Sequence, residues 1–500
     1  MENTNRLKEG IGYGLVQVLG IGVGMISTVF LYGHVLEAYG VVQFFLNTAA
    51  LLFPLASAGV YALNYRYFPL LENDPARRRG FLPFLLLWGA ASTCVFTFFA
   101  WILQEPLSSL IGSPAGVIAQ HLYVLPPLLL LIVTNYTLAH YAANFGKVAV
   151  PAMLNDLLVK LVVPALLLLT LFTSLGIQAV LYALLLYFFT VSLILWWYAG
   201  RVGPSRRFPG KTLFSGNKFR EMGKYAAYNT VTGLGTAMLG RLDLVMLGLL
   251  MPPKAVGAYA IAVTIAGVLE IPFKALSSTV VAMISGLMHR DAYQELGRFS
   301  QRSSLSMLAL VGGMAGGLWL CAGDLFALMP GRDIPEAARH ALLLLLFVKI
   351  AEALMGLSGY ALMLSKFFRS HFLIVVVLLF TGVSLQLLLI PRLGLTGAAT
   401  ATVLSSMLFH GLATGVLYLK TGVQPFQRKM AGIAAVLLMS AVIVNIAVPG
   451  GLPPIPAMVC KGSLFLGLYS GLIFAFDLAP ELLSIARSRF YVLRKRLIFR

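Results

Sequence analysis

"YAAYNTVTGLGTAMLGRLDLVMLGLLM", residues 225 to 251, is an apolar run that holds only two charges, Arg241 and Asp243. A helix crosses the hydrocarbon core of a bilayer with about 20 mainly apolar residues, so this stretch is long enough to span. An ionisable residue at that depth is costly and faces either a partner or a water-filled cavity. Two questions follow: how many such runs the chain has, and what the charges inside them meet.

Runs of this kind recur along the whole chain. Of its 500 residues, 59% are hydrophobic and 11% are charged, against about 25% charged in soluble domains. The expected spans are 11–33, 40–64, 80–103, 117–142, 149–173, 177–199, 225–250, 256–287, 303–326, 339–363, 370–390, 396–419, 430–448 and 457–478. This is an all-α polytopic membrane protein of about 14 transmembrane helices. Glycine (48) and proline (24) are spread through the spans, as transmembrane helices tolerate when neighbouring helices satisfy the freed backbone groups. A β-barrel is excluded because its strands would alternate polar and apolar residues.

The net charge of +19 is explained by where the charges sit. With the N-terminus inside, 28 of the 37 lysines and arginines fall on inner loops and tails, four on outer loops and five within spans. The positive-inside rule then places both termini in the cytoplasm. The basic excess reads as topology and contact with anionic lipids rather than with nucleic acid, and the tail "RSRFYVLRKRLIFR" (487–500) is expected to lie on the anionic inner leaflet. "MENTNRLKEG" leads directly into a full-length span, so the first helix is expected to act as a start anchor. Cys94, Cys321 and Cys460 are scattered, with neither disulfide nor metal-ligand spacing. His140 and His410 are expected at the interface.

A weak internal repeat organises the spans. "YAANFGK" (141–147) matches "YALMLSK" (360–366), "LGIQAVLYA" at Leu175 matches "LGLTGAATA" at Leu393, and Gly40 in "EAYGVVQFF" matches Gly257 in "AVGAYAIAV". The near-equal offsets map spans 1–6 onto 7–12. An even number of spans gives both halves the same orientation, so their expected relation is a pseudo-two-fold along the membrane normal, as in transporters with parallel repeats. The expected organisation is an N-terminal lobe (1–200), a basic cytoplasmic linker (201–224), a C-terminal lobe (225–420), two additional helices (421–480) and a basic tail (481–500).

Those two six-helix lobes, together with "EAYGVVQFFLNTAALLFPLASAGVYALNYRYFP" in span 2, "GRLDLVMLG" in span 7 and "GLTGAATATVLSS" in span 12, resemble polysaccharide flippases of the Wzx type. These flippases belong to the multidrug/oligosaccharidyl-lipid/polysaccharide exporter superfamily. The resemblance implies a bacterial inner-membrane protein that carries undecaprenyl-diphosphate-linked oligosaccharide to the periplasmic leaflet by alternating access, for O-antigen, capsule or exopolysaccharide synthesis. It implies a non-enzymatic protein with no cofactor beyond coupling to protons or sodium, and candidate partners in a polysaccharide polymerase and a chain-length regulator. Lipid II flippases of the MurJ type also have fourteen spans, with arginines in their first spans. Here span 1 has no charge between Glu9 and Glu37, which argues against lipid II as cargo. The rival readings are a cation-coupled multidrug exporter of the same superfamily and a membrane polymerase or glycosyltransferase.

The intramembrane charges are the site candidates: Asp156 and Lys160, Arg241 and Asp243, Glu270 and Lys274, Lys349 and Glu352, with Lys461 near a span end. Asp156/Lys160 and Glu270/Lys274 stand i to i+4 with the acid first, the favourable order, and Lys349/Glu352 stand i to i+3. Arg241 and Asp243 lie about 200° apart around the helix and cannot face each other. The structural expectation for Arg241 is a bridge to Glu270. The functional expectation is that Arg241, Lys349, Lys160, Lys274 and, at the inner end of span 2, Arg66 bind the cargo's diphosphate. Asp243, Glu270, Asp156 and Glu352 would then serve as ion-coupling groups or structural partners. No metal site is expected.

Overall fold

The computed structural model describes residues 2–71, 75–105, 116–173, 175–203, 216–329, 336–449 and 451–482. The tail 483–500, most of the basic linker (204–215), parts of the loops at 103–116 and 328–339, and the side chain of Lys274 lie outside the described set. Among the described residues every regular element is helical.

The long helices are α1 (Glu2–Phe30), α2 (Leu36–Ser57), α3 (Val60–Tyr67), α4 (Pro75–Ile102), α5 (Leu125–Ala143), α6 (Ala149–Phe172), α7 (Ile177–Val202), α8 (Gly216–Leu250), α9 (Pro253–Ala266), α10 (Ile271–His289), α11 (Tyr293–Leu328), α12 (Glu336–Met363), α13 (Phe368–Thr421), α14 (Arg428–Ala447) and α15 (Pro454–Ala475). Among the described residues, twelve helices are long and apolar enough to cross a membrane, or thirteen when α12, bent by 54°, is taken as one span. The 54-residue α13 is itself two arms that meet at Gly394, whose φ of 57° and ψ of −129° are open to glycine alone. Separating the arms recovers the expected spans 11 and 12 and brings the total to fourteen. This is a multi-pass membrane protein.

Span 2 departs from expectation. It breaks at Ala58 and Gly59, which both take left-handed backbone, so α3 sets off anew. A Cβ on Gly59 would lie 2.6 Å from the Ala226 carbonyl oxygen, so α8 comes close to the chain at the break.

The described chain forms two compact units, one of Met1–Ile261 with Gln386–Ala398 and one of Ala262–Leu385 with Ala399–Arg500. Within the first unit α8 packs along α2, and α2 and α9 cross almost backbone to backbone. A Cβ on Gly40 would fall 1.9 Å from the Pro253 oxygen, and one on Gly257 would fall 2.1 Å from the Leu36 oxygen. The two glycines equated by the internal repeat thus lie against each other. Tyr67, Phe68, Phe81, Leu138, Tyr141 and Met222 are among the buried residues that fill this unit's core near α3.

In the second unit α14 and α15 pack on α11. Glycines of α11 receive aromatic rings of α15: a Cβ on Gly313 would meet Tyr469 at 2.7 Å, and one on Gly316 would meet Phe465 at 2.6 Å. The Tyr469 hydroxyl donates to the Ala309 carbonyl at 2.8 Å.

Candidate functional site

The pair that opened the sequence reading resolves as its spacing requires. Arg241 Nη1 donates to Asn47 Oδ1 of α2 at 2.6 Å. Asn47, in turn, donates through Nδ2 to the Gln43 carbonyl and to Gln43 Oε1. Asp243, buried, turns to α9, where the Tyr259 hydroxyl donates to Oδ2 at 2.7 Å. Each charge has found a neutral polar partner on a different helix. The bridge expected between Arg241 and Glu270 gives way to these contacts, Glu270 being held by Lys349.

Asp156 lies in a π-helical turn, Met153–Leu157, within α6. Such one-turn bulges re-aim side chains and recur at functional sites. The Leu154 carbonyl in this turn accepts from the Tyr187 hydroxyl, and Asp156 Oδ2 accepts from Gln17 Nε2 of α1 at 2.7 Å. One turn on, the Lys160 ammonium lies over Gly20, 3.4 Å from where a Cβ would stand. At the start of α6 the Glu9 carboxylate accepts from the Val148 and Ala149 N–H groups and from Lys147. Burial works against ionising Glu9, but these donors outweigh it and hold the carboxyl below its ordinary range. The Lys147 ammonium is correspondingly held above its own, chiefly by its hydrogen bond from Nζ to Glu9. Polar contacts thus tie α1 to α6 along much of its length.

Between these charges runs a row of rings. Phe53 and Tyr136 stand 5.3 Å apart, Tyr136 and His140 6.2 Å, and Tyr65 and His140 5.4 Å. Tyr65 Oη lies 2.8 Å from His140 Nδ1. Tyr136 is within electrostatic reach of both Asp156 and Arg241. It is 38% exposed, so part of its ring is open. Arg66 sits apart, in α3, with its guanidinium 4.4 Å from the Tyr225 ring centre and 3.3 Å from Glu221.

In the second unit Lys349 Nζ donates to Glu270 Oε1 at 2.7 Å and to Glu352 Oε2 at 2.9 Å. The i to i+3 pair is present, and a second carboxylate joins it from the neighbouring segment. His410, expected at an interface, is instead buried at 6% exposure within electrostatic reach of Glu352 and Lys349. Asp324, which sequence reading passed over, accepts from Lys461 Nζ at 2.6 Å. A carboxylate inside span 9 opposite a lone lysine in span 14 was the available signal. Asn47, Gln17 and Tyr259 carried none, since neutral polar residues do not stand out in an apolar run. Lys274, expected at this site, lies outside the described side chains.

A family described as "Polysaccharide biosynthesis protein" matches residues 7–288, more than half of the chain. The chain belongs to this polysaccharide biosynthesis family. A curated relative in Haloferax volcanii, "Probable flippase AglR", is 29% identical over 195 residues, a match that covers 39% of this chain and 41% of the relative. The match thus spans about two fifths of that relative's length. Among solved structures, "Lipid II flippase MurJ, inward closed conformation" superposes with a TM-score of 0.70 at 12% identity, covering 94% of this chain and 99% of that one. A multidrug resistance MATE family transporter in its inward-facing conformation gives 0.62 at 14% identity, covering 81% and 94%. At these identities the likeness is one of fold.

Proposed function

We propose that this member of the family is a flippase that carries an undecaprenyl-diphosphate-linked oligosaccharide from the cytoplasmic to the periplasmic leaflet by alternating access. In this reading it resides in the bacterial inner membrane with both termini in the cytoplasm. The observation that carries the reading is Arg241. It is exposed within an apolar helix, and its hydrogen-bond partner is a neutral amide that leaves the positive charge in place. A guanidinium presents a planar fork that matches phosphate oxygens, and one of its Nη groups is spent on Asn47.

Lys160, across the same unit, and Arg66, at the far end of the ring row, supply further positive charge for a diphosphate. Lys349, clamped by two carboxylates, serves best as part of an ion-coupling group with Glu270 and Glu352, and Asp156 in its π-turn is a second coupling candidate for protons or sodium. Asp243, tied to Tyr259, acts as a structural partner. Moving an intact lipid needs no covalent chemistry and no cofactor. A polymerase and a chain-length regulator are the partners such a flippase would serve, with anionic lipids around it. The names of the relative and of the fold neighbour support a lipid-linked cargo. The MATE neighbour keeps cation export as the rival reading.

The test is transfer of a fluorescent undecaprenyl-diphosphate oligosaccharide between leaflets of proteoliposomes, comparing wild type with Arg241→Ala after folding is confirmed. Transfer by wild type and its loss in the variant is the expected result. Transport of ethidium without glycolipid transfer would replace this reading with cation export.

A further inference from the structure

We propose that the ring row formed by Phe53, Tyr61, Tyr65, Tyr136 and His140 is a binding track for the pyranose rings of the cargo, resting on the flippase reading above. Five rings from three helices follow one another without interruption. Phe53 lies 6.4 Å from Tyr61 and 5.3 Å from Tyr136, and His140 lies 6.3 Å from Tyr61, 6.2 Å from Tyr136 and 5.4 Å from Tyr65. Tyr136 and Tyr65 are 38% and 51% exposed, so both rings present open surface to a ligand.

The row is polar at its rims. Tyr65 and His140 share a hydrogen bond, and the Tyr61 hydroxyl donates to the Asn229 carbonyl at 3.4 Å. A surface for lipid tails would have no use for these groups. A sugar, with an apolar face of C–H groups and a rim of hydroxyls, matches both the ring faces and the polar edges. Amphipathic rings suit a ligand that is itself half apolar and half wet.

A cationic aromatic drug would also stack on tyrosine, but the row is flanked by Arg241, within reach of Tyr136, and by Arg66, beside Tyr225. Each arginine has acidic company, Asp156 within reach of Tyr136 and Glu221 3.3 Å from Arg66, so the flanks are balanced in charge, which suits a ligand that is neutral along its rings, as a glycan is, better than a cation. The flanking arginines also place a diphosphate-binding charge next to sugar-binding rings, the order in which a lipid-linked glycan carries the two groups.

The experiment uses full-length protein and two probes. Free maltotriose binding to the detergent-solubilised protein is followed by saturation-transfer NMR. Leaflet transfer in proteoliposomes is measured for fluorescent undecaprenyl-diphosphate oligosaccharide and for the same lipid diphosphate without sugar. Tyr136→Leu keeps bulk and removes the ring, whereas Tyr136→Phe keeps the ring and removes the hydroxyl. The expected result is that Leu weakens maltotriose binding and slows the sugar-bearing lipid by roughly three- to tenfold, while Phe stays close to wild type, as a stacking contact requires. Transfer of the sugar-free lipid should change little.

Equal slowing of both lipids by Leu, or maltotriose binding untouched by Leu in a protein that melts like wild type, overturns the track. Stronger binding of ethidium than of maltotriose, lost in Leu, would assign the row to cations and overturn it as well. Absence of lipid transfer by wild type, with maltotriose binding still dependent on Tyr136, would sink the flippase reading while leaving the sugar contact in place.

Discussion

Replacing Lys349 with methionine removes the ammonium that stands between Glu270 and Glu352. Their oxygens lie 2.7 and 2.9 Å from Nζ, so the two can be at most about 5.6 Å apart. Two unit charges at that distance repel by about 3 kcal/mol at an effective dielectric of about 20. Glu270 and Glu352 are 34% and 37% exposed, and screening at such sites reduces the penalty to about 1–2 kcal/mol. For a chain of this size the apparent Tm of detergent-solubilised protein, followed with a thiol-reactive dye, should fall by about 1–2 °C. Adding Glu270→Gln removes one of the like charges, so the double variant should recover most of the loss. A single variant that melts with wild type, or a double variant that melts no higher than the single, refutes the electrostatic argument. A double variant that melts like wild type but moves no glycolipid would place Lys349 and Glu270 in the transport cycle rather than in the stability of the fold.

Gly40→Ala sets a Cβ 1.9 Å from the Pro253 oxygen, so α2 and α9 must part by about 1 Å or more, and overpacking of that kind costs about 1–3 kcal/mol or more; low yield and a depressed Tm are expected, and a variant melting like wild type would show that the crossing is slack. Glu9→Gln tests the α1–α6 tether through pH. The Glu9 carboxyl ionises more readily folded than unfolded, so its contribution is full above the ordinary carboxylate range and fades as pH falls through the lowered value. The Tm gap between wild type and Glu9→Gln should therefore be present at pH 7 and close as pH falls below the ordinary carboxylate range; a gap that widens on acidification is the contrary result.

The spans were legible because length and apolarity are properties of a single stretch, and a bilayer asks for little more. The diverging aims of Arg241 and Asp243 and the closeness of Lys349 to Glu352 were equally open to reading, since both follow from turns of one helix. What lay hidden depends on packing between helices. Asn47 lies 194 positions from Arg241, and nothing local marks it as that arginine's partner. The break at Ala58 and Gly59 reflects the approach of α8, which span 2 does not record. His410 looked interfacial from its place along the chain, yet it is buried with Nδ1 lacking a hydrogen-bond partner, because depth along a helix says nothing about which face is covered. The ring row likewise draws on α2, α3 and α5, so no window of sequence contains it.

The contact between Asp324 and Lys461 also says something about how the chain is made. The two residues are 137 positions apart, so at roughly 5–20 residues per second the ribosome delivers the lysine on the order of ten seconds after the aspartate. During that interval α11 is in place without its ammonium partner, and its notches at Gly313 and Gly316 await the rings of α15. The arrival of α15 thus completes the packing of α11. A nascent chain that stalls before α15 carries an unmet carboxylate and unfilled notches, the features by which membrane quality control can tell an unfinished chain from a finished one.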